Sequence, residues 1–166
     1  MDEDLDALRG RCAAGVKALV DAIRAIPPEL APVRRASTQA VREQIYHGFE
    51  RPLARARGGP RLWGKYEQDR AWSVAAVDLV RSGRAVCGQR MLNRDHVWEA
   101  ALIVSELLGE ERSVSETAEL LESRLVTCTV LAEEHALLGR VSRDVVGWDR
   151  YRVAGVAIVE TFPPSP

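Results

Sequence analysis

Apolar residues recur at Leu5, Leu8, Cys12, Val16, Leu19, Val20 and Ile23, with polar residues between them. That spacing returns to one side of a helix every three or four residues and is sustained for about five turns. A first helix is therefore expected, ended by Pro27-Pro28. Val41, Ile45 and Phe49 stand four apart and predict a second helix, with Ser37 as its N-cap and Pro52 as its stop. From Gly48 to Gly64 the chain is rich in glycine, proline and arginine, which predicts an extended basic loop over 48–64.

Trp72, Ala75, Ala76, Leu79 and Val80 mark one face of a further helix, and Gly83 stands where a left-handed C-terminal cap is expected. Ala85-Val86-Cys87 and Met91-Leu92 suggest a short strand. Asn93 or Asp95 would then cap a helix burying Val97, Ala101, Val104 and Leu108 and stopping at Gly109. Ser113 and Glu116 have capping-box spacing and predict another helix with Ala118 and Leu121 inward.

The β-branched run Leu125–Leu131 is the clearest strand in the chain. It leads into a helix opening at Ala132-Glu133-Glu134-His135 and ending near Gly139. Trp148–Val153 adds a helical turn or two, Val156–Val159 a last strand, and 163–166 a frayed tail. Together these elements predict an α+β fold, five or six helices packed on a small sheet of two to four strands, in one domain over 1–162.

Length and composition agree with that picture. The 166 residues are 46% hydrophobic, enough to fill one core without disulfides or metal. No apolar run approaches the roughly 18 residues of a membrane span, and the Met1-Asp2-Glu3-Asp4 start is acidic where a signal peptide is basic. Cys12, Cys87 and Cys128 are isolated, odd in number and set among apolar residues, so they read as buried small side chains in a reducing, cytoplasmic setting.

Charge changes the picture more. The formal net charge is −1, but residues 34–94 carry thirteen basic groups against five acidic, and residues 95–166 carry six against thirteen. The basic segment contains Arg34, Arg35, Arg51, Arg55, Arg57, Arg61, Lys65 and Arg70, interleaved with Tyr46, Phe49, Trp63, Tyr66 and Trp72. Guanidinium groups pair bidentately with phosphate and aromatic rings stack on unpaired bases, so this segment points to nucleic acid or another phosphate-bearing ligand. The competing reading pairs these arginines with the acidic C-terminal third, or with an acidic partner protein, or with a second copy of the chain in a homo-oligomer.

Three further groups have the atoms for chemistry. His96 and Glu99, three apart at an expected helix start, would share a face, with His96 as general base and Glu99 orienting it. Arg150 and Tyr151 could stabilise a phosphate oxyanion and donate a proton, as a small nuclease requires. Glu133 and His135 are candidates for a divalent metal, although no spacing in the chain demands one and no other cofactor is implied. The phosphate loop, the dinucleotide-binding glycine pattern, the Gly-x-Ser-x-Gly elbow, His-Glu-x-x-His and the EF-hand loop are all absent, which argues against ATPases, dinucleotide enzymes, serine hydrolases, zincins and calcium sensors. The sequence expectation is a nucleic-acid-interacting protein, with a small nuclease as its catalytic form and a non-catalytic binding or regulatory protein as the alternative.

Overall fold

The computed structural model describes residues 4–58, 61–63, 66–67, 70–83 and 91–161. In chain order its elements are α1 (Leu5–Arg24), a 3-10 turn (Pro28–Leu30), α2 (Ala31–Glu43), a π-helical segment (Gln44–Glu50), α3 (Arg51–Arg57), β1 (Arg61–Trp63), β2 (Tyr66–Glu67), β3 (Ala71–Ser73) and α4 (Val74–Arg81). There follow β4 (Leu92–His96), α5 (Ala100–Gly109), α6 (Val114–Arg124), β5 (Thr127–Leu131), α7 (Ala132–Leu138), α8 (Trp148–Ala154) and β6 (Ile158–Val159). The class is α+β. No helix among the described residues is long and apolar enough to cross a membrane.

Contacts divide the chain into two compact units interleaved in sequence, one of residues 1–58 and 99–125, the other of 59–98 and 126–166. The first unit is helical. Ala13, Val16, Val20 and Ile23 are the buried positions of α1, and Thr117, Ala118 and Leu121 those of α6. Ser113 and Glu116 close the expected capping box, the Ser113 hydroxyl accepting from Glu116 N at 3.2 Å and Glu116 Oε2 from Ser113 N at 2.7 Å. The Arg24 guanidinium, at the end of α1, donates to the Leu107 and Leu108 carbonyls and so satisfies orphan acceptors at the C-terminus of α5.

The second expected helix differs from its forecast at both ends. It begins at Ala31 rather than Ser37, and the Ser37 hydroxyl donates to the Val33 carbonyl from inside the helix instead of capping it. Nor does Pro52 stop it, because α2, the π segment and α3 are contiguous. The reason lies in the spacing of the buried residues. Val41, Ile45, Phe49 and Leu53 are all buried, and a strict four-residue repeat drifts steadily around a 3.6-residue helix. A π turn holds more residues and absorbs the drift. Pro52 then lies in the first turn of the α3 segment, directly after the π turn, where the hydrogen-bond ladder is already shifted. Arg51, Arg55 and Arg57 are therefore helical and not part of an extended loop.

The second unit is built on a four-stranded sheet of order β4-β5-β3-β6, with β3 parallel to β5 and both edge strands antiparallel to their neighbours. A separate two-stranded ribbon pairs β1 with β2. Trp72, fully buried on one face of the sheet, packs with Ala76, Val77 and Leu92, and Tyr66 adds its ring 6.4 Å away while donating to the Leu92 carbonyl at 2.6 Å. On the other face Ala71, Cys128, Val130, Leu138, Tyr151 and Val156 form a second core against α7 and α8. Trp72 thus belongs to a strand rather than a helix, and α4 starts after it with Ser73 as N-cap, its hydroxyl accepting from Ala76 N. Gly83 follows that helix at φ +69°, as its sequence position implied.

The largest departure is at 92–96. Asn93 and Asp95 do not cap a helix: Leu92–His96 is a strand in register with Leu131–Thr127, and α5 begins only at Ala100, with Glu99 at the capping position. The expected strand at 85–87 lies outside the described residues, as does Cys87.

Candidate functional site

In β4 the side chains of Asn93 and Asp95 share the sheet face covered by α7 and α8, and Asp95 stands opposite Cys128 of β5. Asp95 is 7% exposed, and a carboxylate so placed needs donors on every side to offset its lost hydration. Two come from α8. Tyr151, with no exposed surface, donates its hydroxyl to Asp95 Oδ2 at 2.5 Å, and Arg150 Nη2 makes a short ion pair with the same oxygen while also donating to the His96 carbonyl at 3.0 Å. The third neighbour is His135 of α7, whose Nε2 lies 3.4 Å from Asp95 Oδ1.

Local sequence positions these groups. Gly147 precedes α8 at φ +62°, and a Cβ there would fall 2.8 Å from the Trp98 ring, so only glycine lets the helix start this close to the sheet. Trp148 then packs on Tyr151 at 5.2 Å between ring centroids. At the start of α7 the Glu134 carboxylate turns back to accept from Leu131 N at 2.8 Å and from the Ser73 hydroxyl at 2.5 Å, fixing the helix to both central strands. That interaction orients His135, whose side chain is 50% exposed while Asp95 beneath it is nearly enclosed.

Burial dominates the proton affinities here. The Tyr151 phenol is held far above its ordinary range by burial first and by the adjacent Asp95 charge and hydrogen bond second. The Cys128 thiol is pushed up to about 12 by burial, then by the Asp95 and Glu134 charges. Neither group is ionised near neutrality, so Cys128 is not a thiolate nucleophile there. The arrangement amounts to a buried carboxylate, two buried donors that hold it, and one imidazole oriented at the surface, which suits proton transfer.

The sequence-derived candidates fall in different places. Arg150 and Tyr151 come together, with Asp95 as their common acceptor. His96 ends β4, partly buried, and its backbone carbonyl joins the cluster. Glu99 is exposed and belongs to the helical unit, so the three-residue spacing from His96 gives no shared helical face. Glu133 is exposed on the first turn of α7, and among the described residues no three of His, Cys, Asp and Glu converge as metal ligands would. Arg61 is in β1 and Arg70 directly precedes β3, while Lys65 lies outside the described residues.

The remaining arginines lie along the helical rod 31–57. Offset by two from its buried row, the exposed positions are Arg35, Gln39, Glu43, His47, Arg51 and Arg55, a row about 30 Å long at 1.5 Å per residue. Arg34 is half-buried beside it. Arg57 pairs with Glu122 at 2.9 Å, and Arg9 reaches the same carboxylate at 2.8 Å. Phe49 and Trp72, two of the aromatics interleaved with the basic residues, are core. Sequence reasoning missed Asp95 as the hub of the other unit, because its partners are 55 and 56 residues away. Comparison with protein-family models, with curated proteins and with solved structures gives no significant match for this chain.

Proposed function

We propose that this chain binds nucleic acid by gripping phosphates with the exposed arginine row of the helical unit. One observation carries the reading: Arg35, Arg51 and Arg55 are exposed and have no ion pair among the described residues, whereas Arg57, on the same rod, is neutralised by Glu122. The intramolecular alternative, in which the acidic C-terminal third absorbs the basic charge, accounts for Arg57 and leaves these three unexplained. Exposed guanidinium groups released from internal pairing are suited to phosphate oxygens, and contacts of that kind are insensitive to sequence.

Fluorescence anisotropy with labelled duplex DNA, single-stranded DNA and single-stranded RNA at two salt concentrations tests this reading. Binding is expected to weaken steeply with salt, and the triple variant Arg35→Ala/Arg51→Ala/Arg55→Ala is expected to flatten the log–log salt slope by about 2 to 3 and reduce affinity at least about tenfold. Far-UV circular dichroism should be unchanged, since all three side chains are exposed. Salt-independent binding, or none to any of the three ligands, rejects the reading.

A second reading, strand cleavage, rests on the half-exposed His135 held beside the buried Asp95 carboxylate. His135 would accept the proton from the attacking oxygen and Asp95 would hold its ring in place. In this reading His135, not His96, is the first variant to make. His135→Ala is expected to abolish cutting on a denaturing gel while leaving anisotropy binding and melting temperature nearly unchanged, because the side chain is half in water. Equal cutting by the variant removes His135 from the mechanism.

A further inference from the structure

At the end of the sheet in the second unit, where β3 and β5 begin and β6 ends, lies a cleft of about 420 Å³. Its walls are aliphatic, from Val126 and Ile158, and Trp148 stands at its side with 41% of its surface exposed. Arg70 and Glu160 bring opposite charges to the same cleft. Thr127 also lines it: the residue is 2% exposed, and its hydroxyl has no hydrogen-bond partner among the described residues. That hydroxyl is open to the cleft, where a polar ligand can take the place of water on it.

We propose that this cleft receives a single unpaired base of a nucleic-acid strand. The volume is within the range of small-molecule sites, and an aromatic wall with a few convergent polar groups is their usual make-up. A base is planar and stacks on the exposed indole. Its ring edge carries donors for the Glu160 carboxylate and both donors and acceptors for the Thr127 hydroxyl. Arg70 meets the phosphate attached to it. The choice of a base over other planar rings rests on the nucleic-acid reading; the cleft itself does not. The arginine row would grip any strand, and this cleft would distinguish an unpaired base from a paired one.

The test uses the full chain and an oligonucleotide carrying one 2-aminopurine, presented single-stranded and then annealed to its complement. Wild type is expected to change the 2-aminopurine fluorescence of the single strand and leave that of the duplex unaltered. Thr127→Val, which keeps the shape and removes the hydroxyl, is expected to weaken single-strand affinity roughly three- to tenfold, and Trp148→Leu to abolish the fluorescence change. Both variants should keep wild-type duplex binding and far-UV circular dichroism. Wild type that binds the strand without changing 2-aminopurine, or variants that match wild type, overturns the cleft and leaves the arginine row standing.

If wild type binds neither strand form, the arginine-row reading fails, and adenosine 5′-monophosphate against ribose 5-phosphate, followed by tryptophan quenching, decides the cleft separately. Saturable quenching that requires the base and Trp148 supports a base site there, and no such quenching overturns it.

Discussion

Asp95→Ala is expected to lower the unfolding free energy by about 3 to 5 kcal/mol, a large part of what a domain of ordinary stability has to lose. The carboxylate is 7% exposed, and its removal leaves the Arg150 guanidinium, 12% exposed, and the wholly buried Tyr151 hydroxyl without their shared acceptor. The cost is chiefly that of a buried charge left uncompensated, rather than the worth of the ion pair in isolation. Two further variants separate these contributions. Arg150→Ala strands the carboxylate in turn and should be nearly as damaging. The double variant Asp95→Ala/Arg150→Ala should be less destabilised than the sum of the two, because neither charge then remains alone. Urea denaturation of the three proteins at pH 7.5 provides the measurement, and additive losses would mean that Asp95 and Arg150 do not depend on each other.

The same residues show which parts of the structure sequence pattern carries and which it does not. Helices whose buried residues are set by local spacing were legible: α1 from its apolar period, α6 from Ser113 and Glu116, and the end of α4 from Gly83. β5 was legible too, as a run of β-branched residues buried on both faces. Each of these signals lies within one element. The rod 31–57 shows a half-legible case. Its four-residue spacing was visible at Val41, Ile45 and Phe49, but Pro52 outweighed it, because a proline is read as a stop unless a π turn is considered.

β4 was illegible for a physical reason. Leu92-Asn93-Arg94-Asp95-His96 has little β-propensity, and Asn or Asp ahead of an apolar run is a helix-cap signal. It becomes a strand through ladder bonds to β5 and through a carboxylate whose donors arrive from α8, contacts of long sequence separation. Once β4 is a strand, His96 and Glu99 lose their common face, and Asp95, first read as a cap, becomes the centre of the cluster. Arg150 and Tyr151 were recognised as a polar-aromatic pair, but that they serve one buried acid follows only from the tertiary fold. Trp148, which the sequence places only in a short helix, forms a cleft wall because the strand ends around it leave space.

Alkaline pH should destabilise the fold, and Cys128 contributes most where the loss begins. In the unfolded chain a thiol releases its proton near pH 9, while in the folded protein Cys128 keeps it until about 12. Between those values the unfolded state binds fewer protons than the folded one, so stability falls as pH rises. The full interval of about three units corresponds to about 4 kcal/mol. Tyr151 adds a loss in the same direction from about pH 10 upward, since its folded phenol stays protonated above that range. Cys12 and Tyr66, more accessible, are raised in the same sense, so the contribution of the buried pair is read from variants. Urea midpoints of wild type measured from pH 7.5 to 11 should decline from about pH 9. Cys128→Ala should remove most of the loss between about pH 9 and 10, with a smaller part left there by Cys12, and should keep the part due to Tyr151, which Tyr151→Phe removes. A wild-type midpoint flat to pH 11 would mean that Cys128 and Tyr151 ionise as freely in the folded protein as in the unfolded chain, which their enclosure against Asp95 does not permit.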